Sequence, residues 1–286
     1  MLIGAIEAGG TKFVCGVATP DLKMIDKLTI PTTTPTETLA QVFNFFDQHQ
    51  LASLAIGSFG PIDVNPNSNT YGYITSTPKK GWRDFDFLGA MKDRYQIPMA
   101  FTTDVNAAAY GELKLGAAVG KDSCVYLTVG TGIGGGAVID SQIIQGFSHP
   151  EMGHIMVKKH PEDSFAGVCP YHGDCLEGLA AGPAIEARYH EKAFNLAEDH
   201  QAWEFEAYYL AQACVNYALT LSPEIIIFGG GVMKQKQLFS RVRSYFEELM
   251  AGYYATPPLN DYIVYCELGD NAGITGTLLL AKEALD

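Results

Sequence analysis

The 286-residue chain has no uninterrupted apolar run of the roughly 18 residues that a transmembrane helix needs. Its first residues, MLIGAIEAGG, lack the basic region of a secretory signal peptide. There is also no block of like charge and no low-complexity tract. These absences argue against a membrane-spanning, secreted or disordered protein. We therefore expect a globular, cytoplasmic protein long enough to form two lobes, each with its own core.

Positive charge is scarce, since 19 Lys and Arg residues against 32 Asp and Glu residues give a formal net charge of −13. Proteins that bind nucleic acid depend on cationic contacts to phosphates, so nucleic acid is a poor candidate partner. An anionic membrane surface is excluded for the same reason. A small phosphorylated ligand remains compatible, because a local cradle together with a divalent cation overcomes the overall repulsion.

Cysteine is limited to six residues, and disulfides are not expected in a reducing compartment. Four of the six stand in apolar stretches and are predicted to be small buried hydrophobic residues: Cys15, Cys124, Cys214 and Cys266. The other two flank a histidine in the loop-like stretch VCPYHGDCLEG, with a further histidine upstream. Two thiolates with two imidazoles form the ligand set of a closed, tetrahedral zinc site. The alternatives are unrelated polar loop residues, or His149 or His160 as competing ligands.

A P-loop motif is missing, and the one match to G-x-G-x-x-G lies in GTGIGGG at positions 130–136. A dinucleotide fingerprint must lead from a strand into a helix, whereas this stretch continues into the β-branched, strand-like GAVID. We interpret it as a hairpin turn whose backbone amides face an anion, with a plain tight turn as the alternative. A second glycine turn, EAGGTKF, and a third glycine run after EIIIF favour phosphate binding.

One supersecondary plan occurs twice along the chain. Two predicted hairpins turn on glycine and threonine, and two helices each begin after a strand with an Asp and an Asn, in TTDVNAAAYGE and LGDNAGITGT. Thr34 and Glu37 form a capping box around Pro35, which predicts an amphipathic helix after the first hairpin. We expect two related α/β lobes with a cleft between them; chance likeness of glycine-rich turns is the alternative.

Seven motifs in order resemble the ROK family of bacterial sugar kinases and repressors, and most closely its fructokinase branch. They are GAIEAGGTKFVCGVA, FTTDVNAAAYGE, LTVGTGIGGGAVID, HPEMGHI, CPYHGDCLEG, IIIFGGGV and GDNAGITGTLLLA. The resemblance implies the actin-like ATPase fold, a duplicated ribonuclease H-like α/β architecture with a central cleft. We expect an N-terminal lobe over 1–110, joined by the C-terminal helix 271–286. The second lobe would cover 111–270, with a zinc-binding loop at 150–178.

The resemblance assigns Asp104 the role of general base, although from spacing alone this carboxylate could equally be a helix N-cap. Its neighbours Thr103 and Asn106 are predicted to contact substrate, with helix capping as the alternative for Asn106. Glu7 stands where the family usually has an Asp that helps to hold Mg²⁺, and its longer side chain leaves that role open.

The resemblance also implies the residues that bind ATP, zinc and sugar. The ATP contacts in the two turns and the adenosine loop would be Gly9, Gly10, Thr11, Lys12, Thr131, Gly132, Pro183, Gly229, Gly230 and Gly231. The ligands of a structural zinc would be His154, Cys169, His172 and Cys175, with His172 where the common pattern has a cysteine. The sugar would contact Glu151 and Glu177, together with His154.

The expected function is that of an ATP-dependent, Mg²⁺-requiring fructokinase that phosphorylates the 6-hydroxyl of D-fructose. Thr103 and the stretch TPKKGW depart from the glucokinase pattern in the direction of fructokinase. Lys79, Lys80 and Trp82 are candidate hexose contacts or lid residues, with plain solvent exposure as the alternative for the two lysines. The alternatives are a kinase for glucose, mannose or an N-acetylhexosamine, or a sugar-responsive regulator without its DNA-binding extension. A regulator is disfavoured because the first strand starts at Leu2 and the charge is negative. A homodimer is expected because the family commonly dimerises.

Overall fold

The computed structural model describes residues 1–285, and the chain divides into two compact units. The first unit comprises Met1–Leu115, Ile143–Pro150 and the chain from Asn271 onward, and the second comprises Gly116–Gln142 and Glu151–Asp270. The sequence-based division differs in two places, because it put residues 111–115 and residues 143–150 with the second lobe. The predicted helix 271–286 includes Asp286, which lies outside the described residues.

The helices and strands follow the predicted alternation of hairpins, strands and helices. The strands are β1 (Leu2–Ala8), β2 (Lys12–Ala18), β3 (Met24–Pro31), β4 (Leu51–Ser58), β5 (Tyr73–Ile74), β6 (Phe85–Asp86), β7 (Met99–Thr103), β8 (Cys124–Val129), β9 (Ile133–Ile139), β10 (Gln142–Ile143), β11 (Ile226–Gly229) and β12 (Ile263–Tyr265). The helices are α1 (Pro35–Phe46), α2 (Phe87–Arg94), α3 (Asp104–Leu115), α4 (Leu176–Ala180), α5 (Gly182–Tyr189), α6 (Ala202–Leu221), α7 (Gln237–Met250), α8 (Leu259–Tyr262) and α9 (Ala272–Glu283).

The first unit is built on a five-stranded sheet in the order β3-β2-β1-β4-β7. Strands β1 and β2 form an antiparallel hairpin, while β4 runs parallel to both β1 and β7. The apolar runs of β1 and β4 are almost wholly buried, as expected for central strands of a sheet covered on both faces. Ala8 pairs with Phe13, which leaves Gly9–Lys12 as the connection between the two hairpin strands. We call this connection the first turn.

The second unit repeats the same plan around β8, in the order β10-β9-β8-β11-β12. Strand β8 pairs antiparallel with β9 and parallel with β11, which pairs parallel with β12. Val129 pairs with Ile133, so Gly130–Gly132 is a hairpin turn, which we call the second turn. The glycine-rich stretch therefore leads into a strand and not into a helix. This agrees with the interpretation of GTGIGGG as a hairpin turn and not as a dinucleotide fingerprint.

The first helix begins as its capping box predicts, with the Thr34 hydroxyl accepting the Glu37 N–H at 3.4 Å and Pro35 in the first turn. The core of this unit is rich in aromatic residues that pack edge to face. Trp82 is completely buried in this core, and its indole N–H donates to the Thr33 carbonyl oxygen at 2.7 Å. The proposal that Trp82 contacts hexose is therefore wrong, because packing and a backbone hydrogen bond occupy the whole ring.

Helices α3 and α9 of the first unit cross at very short range. A Cβ added to Gly111 would lie 2.7 Å from the carbonyl oxygen of Ala272. A Cβ added to Gly276 would fall closer to the carbonyl oxygen of Ala107 than Cβ atoms are ever found in proteins. Glycine on both helices is what lets the two backbones approach.

None of the helices within residues 1–285 has the length and apolarity needed to cross a membrane. The six cysteines are all free and buried. Among them, the four that stand in apolar stretches lie in the cores of the two units, as their sequence context predicts.

Candidate active site and metal centre

The first turn is a closed hairpin connection that presents an open surface. The Gly9 N–H donates to the Lys12 carbonyl oxygen at 2.9 Å, and the Thr32 hydroxyl donates to the Gly9 carbonyl oxygen at 2.7 Å. A Cβ added to Gly10 would lie 3.4 Å from Cε of Lys79, so the Lys79 side chain reaches over the turn. This arrangement gathers backbone amides and positive charge where the sequence predicts phosphate. The predicted contacts here are all at least partly exposed: Gly9, Gly10, Thr11 and Lys12.

Asp104 is the first residue of α3 and follows directly on the last residue of β7. Its Oδ1 atom accepts the N–H of Val105 at 2.9 Å, and the side chain is partly exposed. The N-cap is Thr103, whose hydroxyl accepts the N–H of Asn106 at 3.1 Å. The capping alternatives for Asp104 and Asn106 are therefore wrong, because α3 starts one residue earlier than an Asp104 cap would require and three residues earlier than an Asn106 cap would require.

Thr103 and Asn106 are buried at the start of α3. The Asn106 amide donates to the Thr102 hydroxyl at 3.3 Å, and its Oδ1 atom has no hydrogen-bond partner among the described residues. An unpaired buried acceptor costs free energy, so this oxygen is available to a donor brought by a ligand or by water. Substrate contact by either residue stays a prediction.

Glu7 points into the same region of the first unit from the end of β1. A Cβ added to Gly273 would lie 2.6 Å from Glu7 Cδ, so the carboxyl is held against the backbone at the start of α9. Burial, and secondarily the negative charge of Asp104, raise the pKa of Glu7 to about 7. Its buried Oε2 atom has no hydrogen-bond partner within residues 1–285. A divalent cation would compensate this crowded pair of carboxylates, and so Mg²⁺ fits the residues present.

The second turn lies beside the other glycine-rich segments of the second unit. The Gly182 N–H donates to the Gly130 carbonyl oxygen at 2.8 Å, and a Cβ added to Gly130 would come 3.9 Å from the backbone nitrogen of Gly231. Gly230 has φ +90° and lies against the Val129 backbone, where no side chain fits. The second unit thus brings together its predicted nucleotide contacts, which are Thr131, Gly132, Pro183, Gly229, Gly230 and Gly231.

Two acidic residues predicted to contact sugar stand near each other in the second unit. The Glu177 Oε2 atom accepts the N–H of Ile133 at 2.9 Å, and its Oε1 atom lies 3.8 Å from Nε2 of His154. Glu151 is reached by solvent, but its pKa is raised to about 7. The larger cause is the loss of part of its hydration, and the smaller cause is the nearby negative charge of Glu177. A carboxyl with a pKa of about 7, such as that of Glu151, can accept hydrogen bonds from a polyol when it is ionised and donate one when it is protonated.

The structure brings together the four predicted zinc ligands. His154 Nδ1 lies 3.7 Å from Sγ of Cys169 and 3.5 Å from Sγ of Cys175, and His172 Nδ1 lies 3.7 Å from Sγ of Cys169. All four ligand atoms are within 4.8 Å of one another. Zn–S and Zn–N bonds of ordinary length give a sulfur-to-nitrogen edge of about 3.5 Å in a tetrahedron, so the donor set fits a four-coordinate zinc ion. The two alternative histidines, His149 and His160, are not part of this group.

Zinc content provides a direct test of this centre. We expect the purified protein to carry about one zinc per chain, and the Cys175→Ser variant to lose it together with thermal stability, because the ion closes the loop. Inductively coupled plasma mass spectrometry measures the metal. His190→Asn, an exposed histidine in the left-handed region where asparagine is tolerated, is the matched control. Cys175→Ser protein that keeps the full zinc content would contradict the assignment.

The model of the ROK family matches residues 3–284, which is nearly the whole chain. The chain belongs to the ROK family. It is 53% identical to a protein of Bacillus subtilis (strain 168) named putative fructokinase, over 99% of this chain and 96% of that protein. It is 50% identical to a fructokinase of Pediococcus pentosaceus, over 100% and 99%. In fold it resembles a ROK glucokinase of Streptomyces griseus in complex with glucose and AMPPNP, at 23% identity and a TM-score of 0.78, covering 99% and 100%.

The duplicated sheet plan agrees with the actin-like ATPase fold of ROK sugar kinases. Sequence reasoning missed two features of this ROK chain. Glu177 accepts the backbone N–H of Ile133, the residue directly after the second turn, and spacing along the chain does not indicate this contact. His149 is buried in the first unit, where its Nε2 atom accepts the Ile62 N–H at 3.0 Å and burial lowers its pKa. In the sequence, the only indication that His149 has a special position is that it stands with Pro150 directly before Glu151.

Proposed function

We propose that this chain transfers the γ-phosphate of ATP to the 6-hydroxyl of D-fructose, with Asp104 as the general base. Membership of the ROK family and about 50% identity to fructokinases over the full length of both chains support an ATP-dependent fructokinase, a hexose kinase. The observation that carries the chemistry is the pair of carboxyls in the first unit, Asp104 at the end of β7 and Glu7 at the end of β1.

Asp104 serves the reaction by accepting the proton of the attacking hydroxyl. Its position at the first residue of a helix and its partial exposure leave the carboxylate accessible to a substrate. Phosphoryl transfer passes through a loose transition state, so the base needs only modest strength and an accurate position. The Val105 N–H, which donates to Oδ1, holds the carboxylate in a fixed orientation at the start of α3, where it can accept the proton of the hydroxyl.

Glu7 is the residue of the first unit that would help to hold Mg²⁺. The ion, when bound, neutralises charge on the β- and γ-phosphate oxygens. The first turn contributes backbone N–H groups, the Thr11 hydroxyl and the Lys12 ammonium to the same phosphates, and Lys79 adds a second ammonium over Gly10. Helix α9 supports this role, because its close approach at Gly273 keeps the Glu7 carboxyl from turning away.

The second unit would supply the other contacts to both substrates. Thr131 and Gly132 form the second phosphate contact, and the glycine loop at 229–231 accepts adenosine, flanked by Pro183. Glu151 and Glu177 accept hydroxyl hydrogen bonds from the sugar beside His154, and carboxylates give such bonds about twice the strength of neutral acceptors. Asn106 would contact the substrate because its Oδ1 atom, which has no partner among the described residues, needs a donor. Thr103, at the start of the same helix, is proposed as a second substrate contact.

A coupled assay for ADP release over a panel of hexoses tests the proposal. Fructose is expected to give the highest kcat/KM, and analysis of the product by NMR is expected to show phosphate on C6. A higher kcat/KM for glucose, mannose or an N-acetylhexosamine would transfer the assignment to that sugar. Failure to turn over any hexose while ATP still binds would refute the kinase. We further propose that the protein is cytoplasmic, where ATP is available. We also propose that it forms a homodimer, and sedimentation velocity measures the oligomeric state.

Glu151 predicts a dependence of fructose binding on pH. Its raised pKa of about 7 means that the carboxyl is protonated below that pH and charged above it, so the stronger acceptor forms as the pH rises. KM for fructose should therefore fall between pH 6 and pH 8. Glu151→Gln should raise KM by about 10–100-fold and abolish this pH dependence, since a bond to a charged group contributes about 1.5–3 kcal/mol. The exposed Glu162→Gln is the control, and an unchanged pH profile in Glu151→Gln would contradict the role.

A further inference from the structure

Glu177 contacts two parts of the second unit to which the resemblance assigns separate roles, the metal centre and the strand that follows the second turn. One carboxylate oxygen lies 3.8 Å from Nε2 of His154, and the other accepts the N–H of Ile133 at 2.9 Å. His154 is a candidate zinc ligand, while Ile133 is the residue directly after the second turn. The Glu177 carboxylate therefore lies between the metal centre and the residue that follows the second turn.

On the metal side, the ring of His154 is oriented for this link. Its Nδ1 atom faces both cysteine sulfurs, at 3.5 Å from Cys175 and 3.7 Å from Cys169, so Nε2 is the nitrogen that faces Glu177. A metal bound at Nδ1 would fix the tautomer and leave the proton on Nε2, so that this N–H faces the Glu177 carboxylate across the 3.8 Å separation. Partners of this kind orient a metal-bound imidazole and strengthen it as a ligand.

On the turn side, the carboxylate is held tightly. A Cβ added to Gly132 would lie 2.7 Å from Glu177 Oε2, so the turn backbone packs directly on the carboxylate. Helix α4, which carries Glu177, begins directly after the candidate ligand Cys175. Just beyond its other end, the Gly182 N–H donates to the Gly130 carbonyl oxygen at 2.8 Å. The two ends of the second turn are thus held by neighbouring helices, Ile133 by Glu177 of α4 and Gly130 by Gly182 at the start of α5, and α4 itself begins at the metal centre.

We propose that Glu177 is a positioning residue through which the zinc centre sets the affinity of the second turn for nucleotide phosphates. Zinc bound by the four ligands restricts the motion of His154 and of the start of α4. Glu177 lies against His154 and accepts the Ile133 N–H, so it holds the Ile133 backbone in place in turn. The proposal rests on the proposed function, because it takes the second turn as a phosphate contact. Coupling between two binding sites is reciprocal, so nucleotide must strengthen zinc binding by the same factor by which zinc strengthens nucleotide binding.

The experiment measures ADP binding by isothermal titration calorimetry in Mg²⁺ buffer without sugar, which removes any contribution from sugar contacts of Glu177. Zinc-loaded and zinc-stripped protein are compared for the unmodified chain, for Glu177→Gln, and for Glu186→Gln as an exposed charge-matched control on α5. Stripping zinc should weaken ADP binding of the unmodified chain and of Glu186→Gln by about 5–150-fold, the usual range of such couplings. Zinc-loaded Glu177→Gln should bind ADP as weakly as the stripped unmodified chain, with little further loss on stripping.

A second measurement follows the same coupling from the zinc side and needs no variant protein. Zinc affinity of the unmodified chain is measured by competition with a chromophoric chelator, with and without ADP, and ADP should raise it by the factor found in the calorimetry. Glu177→Gln, where it folds, should bind zinc about 10–100-fold more weakly, as expected when the carboxylate partner of a ligand histidine is lost. ADP that leaves the zinc affinity unchanged overturns the proposal, as does a Glu177→Gln variant that keeps the full zinc effect. ADP that binds no form of the protein would instead refute the proposed function.

Discussion

Asp104→Asn should lower kcat for fructose phosphorylation by about 10²–10⁴-fold, which is the usual contribution of a general base. Asparagine has the same shape and can still accept the Val105 N–H, so the start of α3 should be unchanged. What it lacks is the capacity to take the proton of the attacking hydroxyl. Steady-state kinetics at saturating ATP and fructose measure the loss.

Asp93→Asn, an exposed aspartate on α2, controls for the removal of one negative charge. It should keep the rate of the unmodified enzyme. ADP affinity and melting temperature should be similar in both variants, which would limit the defect of Asp104→Asn to the chemical step. An Asp104→Asn enzyme that keeps more than a tenth of the original kcat would remove Asp104 from the role of base.

Gly276→Ala should destabilise the protein by about 3 kcal/mol or more, which corresponds to a fall in melting temperature of roughly 10 °C. The added methyl group would overlap the carbonyl oxygen of Ala107, a backbone atom that cannot rotate away. Helices α3 and α9 would have to separate, which would also disturb the attachment of Gly273 to the Glu7 carboxyl. Differential scanning calorimetry measures the change.

Gly146→Ala is the matched control, because a Cβ added to Gly146 meets no atom within 4 Å. It should melt within about 2 °C of the unmodified protein, as surface substitutions usually do. A Gly276→Ala protein that melts at the original temperature would mean that the α3–α9 crossing is not close-packed in solution.

The elements of this fold follow from local sequence wherever the signal is short-range. The capping box at Thr34 placed the start of α1 because the hydrogen bond spans only three residues. The β-branched residues after GTGIGGG indicated a strand, and β9 begins at Ile133. The clustering of the four candidate metal ligands was also predictable, because the Cys-x2-His-x2-Cys spacing is typical of a tight loop that could surround one ion.

Positions that depend on distant packing were not predictable in the same way. Trp82 stands in a loop sequence, yet the core of the first unit surrounds it completely. Residues 143–150 are sequence neighbours of the second lobe, but the His149 side chain joins them to Ile62. Thr103 is the N-cap because β7 ends there, and the length of a strand depends on its pairing with β4.

Local sequence was enough to predict the duplicated α/β plan, the family and the grouping of the His and Cys residues, because periodicity, turn residues and ordered motifs are properties of neighbouring residues. The three-dimensional packing was needed to show that Glu7 has a buried oxygen without a partner among residues 1–285, and that Glu177 lies between His154 and the residue after the second turn. Both depend on atoms that come from separate segments of the chain. Desolvation and hydrogen-bond partners are set by what packs around a group, and the one-dimensional order of residues does not contain that information.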